Sequence, residues 1–500
     1  MGNIIIGGSS STAQNFRDFI TIKYNPSGVL LWMQTYNGPG NSEDHILSIE
    51  SDNSGNIYVL GRSKGNGTGD DYATIKYNSN GIQQWVQRYN GGGGGDDDPN
   101  RILVDDSSNV YITGRSQQSI GGIYHIATVK YNKDGVFQWA NWISGEGGDS
   151  FGWDAILDNQ NNIYVTGFLS ELFTGASTVL VKYNKTGNPL WLRKYSGETE
   201  DTEEARSVSI DNLNNVYISG YSWSLNNGPD FLTIKYDSSG NQKWVKTYNG
   251  PGNNYDWANK IIVDNQNNIY VTGFISVLNP ISSDIATIKY DSLGNELWVR
   301  TYNGPGNNNE FPTSIDIDNL GNVYVAGSSN NSNNSNNLSD YVSIKYDPQG
   351  NEQWALRYNG PPDSSDMANS IVVDNENNVY VTGSSRGSGS SSDIVTIKYS
   401  QPIGIISSSN EQPKYFALEQ NYPNPFNPHT YIGFQIQKRG YVKLTIFDIR
   451  GRSIESLVNQ VLNTGFYKVQ WDGSNMPSGI YYYNIRTDQF NETKKLVLLK

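Results

Sequence analysis

The chain has 500 residues, with 36 lysines and arginines against 49 acidic residues, a formal net charge of −13, and no cysteine. The lack of cysteine excludes disulfides, a thiol nucleophile and thiolate metal sites, and the negative charge argues against a nucleic-acid backbone as partner. No apolar run approaches the ~20 residues of a membrane helix, and β-branched and aromatic residues outweigh helix formers, so an all-β fold with many turns is predicted. Charge is uneven: residues 1–410 carry a net of −17 and residues 411–500 a net of +4, which points to two modules.

Along the chain, Asn3-Ile4-Ile5-Ile6-Gly7-Gly8 is the first copy of a motif, Asn-Ile/Val-Tyr-Val/Ile-x-Gly in its fuller form, that later ends at Gly61, Gly114, Gly167, Gly220, Gly273, Gly327 and Gly383. A second motif, of the type Thr-Ile-Lys-Tyr, places lysines at 23, 76, 130, 182, 235, 289, 345 and 398. Nine residues after the first seven stand Trp32, Trp85, Trp139, Trp191, Trp244, Trp298 and Trp354. The period is about 53 residues.

Each period reads as four short strands. In residues 260–303 they are 260–263 (a), 268–272 (b), 284–290 (c) and 296–302 (d). Tight-turn chemistry joins a to b through Asp264-Asn265-Gln266-Asn267, and c to d through Asp291-Ser292-Leu293-Gly294. The b–c and d–a connections are longer, variable and rich in Gly, Ser and Asn. Four antiparallel strands per repeat of this length predict a β-propeller over residues 1–400. The copies number seven a, eight b, eight c and seven d strands, beginning with b and ending with c. This predicts eight blades and a truncation ahead of Met1 that removes one d and one a strand. A seven-bladed ring closed by the d strand of residues 30–36 is the alternative. The Val-Asp-Asn-x-x-Asn-Ile-Tyr-Val-Thr-Gly … Thr-Ile-Lys-Tyr spacing resembles the bacterial propeller repeats called SBBP, which are NHL-like, and the resemblance implies a propeller in an extracytoplasmic setting.

Residues 401–414 read as a linker. Beyond it, Leu418-Glu-Gln-Asn-Tyr-Pro-Asn-Pro-Phe-Asn-Pro428 cannot continue a sheet, and alternating strands at 430–437, 441–448, 467–471, 479–486 and 494–499 predict a small Ig-like β-sandwich over 415–500. The proline-rich run, Val442–Arg452, Val469–Gly473, Ser478–Tyr483 and Thr493–Lys500 resemble the type A C-terminal sorting domain of the bacterial type IX secretion system. The matching positions include Asn421, Pro423, Asn424, Pro425, Phe426, Asn427, Pro428, Gly451, Gly479, Lys494 and Lys495. The resemblance implies export, recognition of residues 415–500 by the secretion machinery, and a secreted or outer-membrane surface location. Residues 1–20 lack the signal peptide that such export requires, which agrees with an N-terminal truncation.

Candidate sites are few. His45, His125 and His429 occupy no repeated position, and two Gly-x-Ser-x-Gly stretches, around Ser150 and Ser385, fall outside the strand-to-helix setting a nucleophile elbow needs. The turn aspartates Asp52, Asp105, Asp158, Asp211, Asp264, Asp318 and Asp374 brush against calcium-loop patterns, but Asx turns explain them better. No cofactor is expected, with calcium as the one candidate. Eight residues before each turn aspartate stands Asp44, Asp97, Ser150, Glu203, Asp256, Glu310 or Asp366. This near-acidic series is expected to ring the channel mouth, beside Phe151, Trp257, Phe311 and Met367 and the b–c loop residues Phe173 and Trp223. Aromatics over an acidic rim suit a glycan or a cationic protein segment. The function expected is a non-catalytic binding or scaffold propeller. A polysaccharide lyase or hydrolase using channel-mouth carboxylates and a structural surface or adhesin component are the alternatives.

Overall fold

The computed structural model describes residues 2–11, 16–172, 175–197, 201–224, 228–278, 281–330, 338–361, 364–387, 392–399, 406–407, 413–462, 464–473 and 476–500. Phe173 lies outside them. Among the described residues all regular structure is β, and no helix is long and apolar enough to cross a membrane.

Antiparallel sheets follow one another over residues 4–399. Six are four-stranded with spatial order a-b-c-d, spanning 44–89, 97–143, 151–195, 203–248, 257–302 and 310–358. The first sheet consists of b, c and d strands, Ile4–Ser11, Arg17–Tyr24 and Leu30–Tyr36; the last consists of a, b and c, Asp366–Val373, Val379–Ser385 and Asp393–Tyr399. This series is consistent with a propeller. Strand edges differ from expectation in the 260–303 repeat, where a begins at Trp257 and b and c run on to Leu278 and from Ile281.

The a–b turns form because one aspartate answers several backbone donors. Asp264 Oδ1 accepts the N–H groups of Gln266 and Asn268 at 2.9 and 2.8 Å, while Oδ2 accepts the Asn268 amide at 2.7 Å and the Tyr270 hydroxyl at 3.0 Å. Asn267 takes φ +62°, a left-handed conformation that asparagine tolerates better than most residues.

Contacts between sheets explain the repeated Lys, Tyr and Trp. Lys76 lies 5.0 Å over the Tyr58 ring of its own sheet and donates from Nζ to the Lys133 carbonyl of the next sheet at 3.0 Å. Trp85 Nε1 donates to the same carbonyl at 3.2 Å. Lys23 and Trp32 converge likewise on Ser79, Lys130 and Trp139 on Lys185, Lys235 and Trp244 on Ser292, and Lys289 and Trp298 on Pro348. Lys398 of the last sheet donates to the Pro26 carbonyl of the first at 3.1 Å. Apolar clusters also lie between consecutive sheets, as where Tyr217 and Phe231 pack with Ala258, Ile261 and Val271.

The C-terminal unit is two four-stranded sheets over one core. One holds Gly465–Asp472 and His429–Ile436 flanked by the short strands Ile406–Ser407 and Ala417–Leu418; the other is ordered Ser453–Leu462, Gly440–Phe447, Gly479–Arg486, Asn491–Leu498. Ile432 and Trp471 from the first meet Leu444, Tyr483 and Leu496 from the second. Two expectations need correction. Residues 406–407, read as linker, pair with Tyr467 and Lys468, and Ser453–Leu462, whose sequence lacks a clear period of two, is a full strand.

Candidate functional site

The expected acidic ring is not a rim. Asp44, Asp97, Ser150, Glu203, Asp256, Glu310 and Asp366 are all 0% exposed, because the d–a loop folds back onto each of them. Gly38, Gly91, Gly250 and Gly360 donate their N–H groups to Asp44, Asp97, Asp256 and Asp366 at 2.7, 2.8, 2.5 and 2.6 Å. Gly145 does the same to Ser150 Oγ at 3.0 Å, which takes Ser150 out of consideration as an exposed nucleophile; Ser385 is also buried. Ser222 and Ser329 hydroxyls add hydrogen bonds to Glu203 and Glu310. Burial pushes Asp97 and Asp256 up to about 6 and Glu310 up to about 7, against the hydrogen bonds that favour the ionised form. The geometry therefore gives these groups the role of clamps on the loop entering strand a.

What does line the inner strands is the row beside them. The residue after each clamp stands opposite the residue after each b-strand glycine, giving the pairs His45/Arg62, Asp98/Arg115, Phe151/Phe168, Glu204/Tyr221, Trp257/Phe274, Phe311/Ser328 and Met367/Ser384. The chemistry differs in every sheet. Arg115 sits 4.2 Å from the Tyr124 ring and 4.3 Å from the Phe151 ring, and is held by Asp98 at 2.5 Å. Phe151 stacks on Phe168 and Trp153 at 5.0 and 5.5 Å. Arg206 lies over Trp257, Trp153 and Tyr221 at 4.8, 5.5 and 5.7 Å and pairs with Glu204 at 3.0 Å. Trp257 stacks on Tyr221 at 4.8 Å and leads through Phe274 to Phe311, which is 38% exposed.

This belt spans the third to seventh sheets, and of the expected aromatics it contains Phe151, Trp257 and Phe311. Trp223 stands apart on the rim, edge-on to the exposed Tyr255 at 5.8 Å. Arg115, Arg206 and Trp153 had no repeat signature to mark them. Trp153 and Arg206 are also the residues skipped by strand-a register shifts, and such bulges re-aim side chains.

The turn aspartates have little to offer a cation, because the turn uses their lone pairs. Burial alone would raise Asp52, Asp158 and Asp374, but hydrogen bonds from Asn56, Asn162 and Asn378 outweigh it and hold all three below the usual range. Among the described residues no cluster of three metal-ligating side chains occurs.

In the C-terminal unit the sorting-type residues divide in two. Asn421 and Phe426 are buried: the Asn421 side chain donates to Thr430 and Pro423 at 2.9 and 3.1 Å, its backbone N–H donates to Tyr483 Oη at 2.9 Å, and Phe426 packs on Trp471 at 5.4 Å. Asn424 Oδ1 accepts the Val497 N–H at 2.9 Å, Gly451 takes φ +76° in an Asp448 turn, and Gly479 opens a strand. Pro423, Pro425, Asn427 and Lys495 face solvent with Tyr422; Pro428 and Lys494 are half-buried, Lys494 pairing with Glu492 at 3.3 Å.

Comparison with known proteins agrees with both halves. The family described as Secretion system C-terminal sorting domain matches residues 420–499, and the family described as Beta-propeller repeat matches 84–121, 297–334 and 353–389. The chain thus carries β-propeller repeats ahead of a secretion-system sorting domain, and the latter points to a secreted or cell-surface protein. An uncharacterized WD repeat-containing protein of Acanthamoeba polyphaga mimivirus is 24% identical over 365 residues, covering 56% of this chain; the chain spans 24% of that relative's length. Among solved structures, a PL25 ulvan lyase is similar at 12% identity, covering 69% of this chain and 90% of that one, with TM-score 0.43. A GH43 β-xylosidase/α-arabinofuranosidase from a compost metagenome is similar at 12% identity over 50% and 93%, with TM-score 0.28.

Proposed function

We propose that the protein is an exported, non-catalytic eight-bladed propeller that binds glycan through the belt of its third to seventh blades, and that its C-terminal Ig-like sandwich serves as the address read by the type IX machinery. The supporting observation for glycan binding is the belt itself. Flat aromatic faces alternate with guanidinium and carboxylate groups along one row of the inner strands, a mixture suited to the apolar faces and hydroxyls of sugar rings. The Lys398–Pro26 contact supports eight blades, since it repeats between the last and first sheets the bond that Lys23, Lys76, Lys130, Lys235 and Lys289 make to the next sheet. Affinity electrophoresis of the full chain through gels containing neutral and acidic polysaccharides tests the binding. Retardation that is lost in Trp257→Ala and Phe311→Ala is the expected result; free migration in every gel, or equal retardation of the variants, overturns the reading.

An enzyme acting on polysaccharide is the second reading, favoured by one cluster with no counterpart among the described residues of the other sheets: Tyr221 donates to Glu204 at 2.8 Å beside Arg206. Burial and the Glu204 charge push the Tyr221 hydroxyl far above its ordinary value, which makes it a poor base near neutrality, so binding is preferred. Release of reducing ends or unsaturated products by the wild type, lost in Tyr221→Phe, would reverse that preference.

A further inference from the structure

We propose that the belt takes a run of several sugars from the interior of a polysaccharide chain, and not a chain end or a single unit; this rests on the glycan reading above. From Tyr124 to Phe311 the side chains form one unbroken path. Tyr124 meets Phe151 at 6.0 Å, Phe151 meets Trp153 at 5.5 Å, Arg206 joins Trp153 to Trp257 at 5.5 and 4.8 Å, and Phe274 joins Trp257 to Phe311 at 5.7 and 5.1 Å. The path crosses five consecutive sheets, and none of its seven members is fully buried. A pyranose ring is comparable in size to a phenyl ring, so one sugar covers only one or two of these contacts. Sites for single small ligands are concave and enclose most of the ligand surface. Here the path does not close at its seventh-sheet end, where Phe311 is 38% exposed and its counterpart in the next sheet, Met367, is 49% exposed.

Two members of the path stand where other repeats make a bond between sheets. Three residues after the clamp, Asn100, Asn259 and Thr313 donate to the carbonyls of Gly152, Pro312 and Ala368 in the next a strand, over 2.7, 2.9 and 2.8 Å. Trp153 and Arg206 hold that place in the fourth and fifth sheets. Among the described residues Trp153 Nε1 has no hydrogen-bond partner, and Arg206 turns to Glu204 instead. Register shifts take both residues out of the strand pairing, which re-aims their side chains. Without them the path would stop at Phe151 and resume at Trp257. Two neighbouring sheets therefore lack a fastening bond at the places where a side chain spans the gap between aromatic groups, and the gain from that exchange is continuity along the row.

The test is calorimetric titration of the full chain with xylan and polygalacturonate fragments of two to eight sugars, beside electrophoresis through gels holding the parent polymers. Affinity for eight-sugar fragments is expected to exceed that for two-sugar fragments by about tenfold or more. Trp153→Asn introduces the residue of the third and sixth repeats. It should unfold at an unlowered temperature, bind two-sugar fragments as the wild type does, and lose about threefold to tenfold in affinity for the eight-sugar fragment. Phe151→His, with the residue that the second repeat carries as His45, should shorten the path from its other end and weaken long fragments likewise. Trp142→Ala removes an exposed ring from the outer strand of the third sheet and should change nothing. Free migration of the wild type in both gels overturns the glycan reading and this proposal with it. Equal affinity for short and long fragments, no binding of eight-sugar fragments of a polymer that retards the chain, or an undiminished advantage of long fragments in Trp153→Asn and Phe151→His overturns this proposal alone.

Discussion

Trp32 of the first sheet lies flat against Gly81 of the second, so closely that a methyl group at Gly81 would come within 2.7 Å of indole carbon Cδ2. The same meeting recurs between Trp85 and Gly135, Trp139 and Gly187, Trp191 and Gly240, Trp244 and Gly294, and Trp298 and Gly350. These glycines also hold φ between +79° and +88°, so two independent constraints exclude a side chain. Gly135→Ala is expected to destabilise by more than about 1 kcal/mol from backbone strain alone, with the displaced indole adding to it. Denaturant unfolding of Gly135→Ala beside Gly121→Ala, which has positive φ but open space around it, separates the two contributions: equal losses would show that the indole contact adds nothing.

Lys130 and Lys398 make the same bond in different surroundings, the first partly buried and the second exposed. Lys130→Met is expected to cost about 1.5–3 kcal/mol, as for a hydrogen bond to a charged group, and Lys398→Met less than about 1 kcal/mol. Chemical denaturation of both variants checks the order, and a larger loss at Lys398 would mean that the contact between the last and first sheets contributes far more than its geometry suggests.

Stability should fall from about pH 5 to pH 7.5. Asp97, Asp256 and Asp284 are raised to about 6 and Glu310 to about 7 by burial. A group whose folded pKa lies above its unfolded value contributes stability that is complete below the unfolded pKa and lost as pH rises through the folded one. The turn aspartates Asp52, Asp158 and Asp374 are lowered; their contribution is present above the unfolded value and disappears as pH falls further. A tenfold change in proton affinity is worth about 1.4 kcal/mol. Thermal scans across pH should therefore peak near 5, and Asp256→Asn with Glu310→Gln should flatten the descent toward 7.5. A Tm that climbs over that interval contradicts the assignment.

Removing residues 415–500 should leave the propeller folded and the protein inside the cell envelope, whereas Tyr422→Ala, at an 80% exposed position, should leave the C-terminal unit folded and reduce export. Immunoblots of envelope and medium fractions with near-ultraviolet circular dichroism of each variant decide this. Undiminished export of the truncated protein removes the sorting role.

Much of the propeller was legible because its signals repeat: a buried Tyr, a bridging Lys and a packed Trp recur at fixed offsets, and the Asx turns follow from Asp and Asn alone. The strand pattern locates the clamp residues in sequence but not their burial. Their position in the strand pattern says that they precede strand a, while their burial depends on glycines six residues earlier, such as Gly38 for Asp44, whose backbone returns to meet them. Arg115, Trp153 and Arg206 escaped notice for the opposite reason, since periodicity selects what is shared. A signal exists for Arg115, which follows a b-strand glycine at a place where otherwise similar repeats disagree, and for Trp153 and Arg206, which stand three residues after a clamp where other repeats carry Asn100, Asn259, Thr313 and Asn369. Ser453–Leu462 was missed because its side chains alternate poorly, and its pairing with Gly440–Phe447 carries two irregularities in register.

At five junctions a lysine and a tryptophan converge on a single carbonyl oxygen of the next sheet, and this also shapes how the molecule bears load. Pulled at its ends, the series of sheets is expected to yield one sheet at a time, because breaking one such junction frees one repeat and leaves the bonds of the others in place. Each release pays out about 53 residues, roughly 180 Å of extended chain. Held at both ends, a chain of this construction is expected to lengthen in steps rather than all at once.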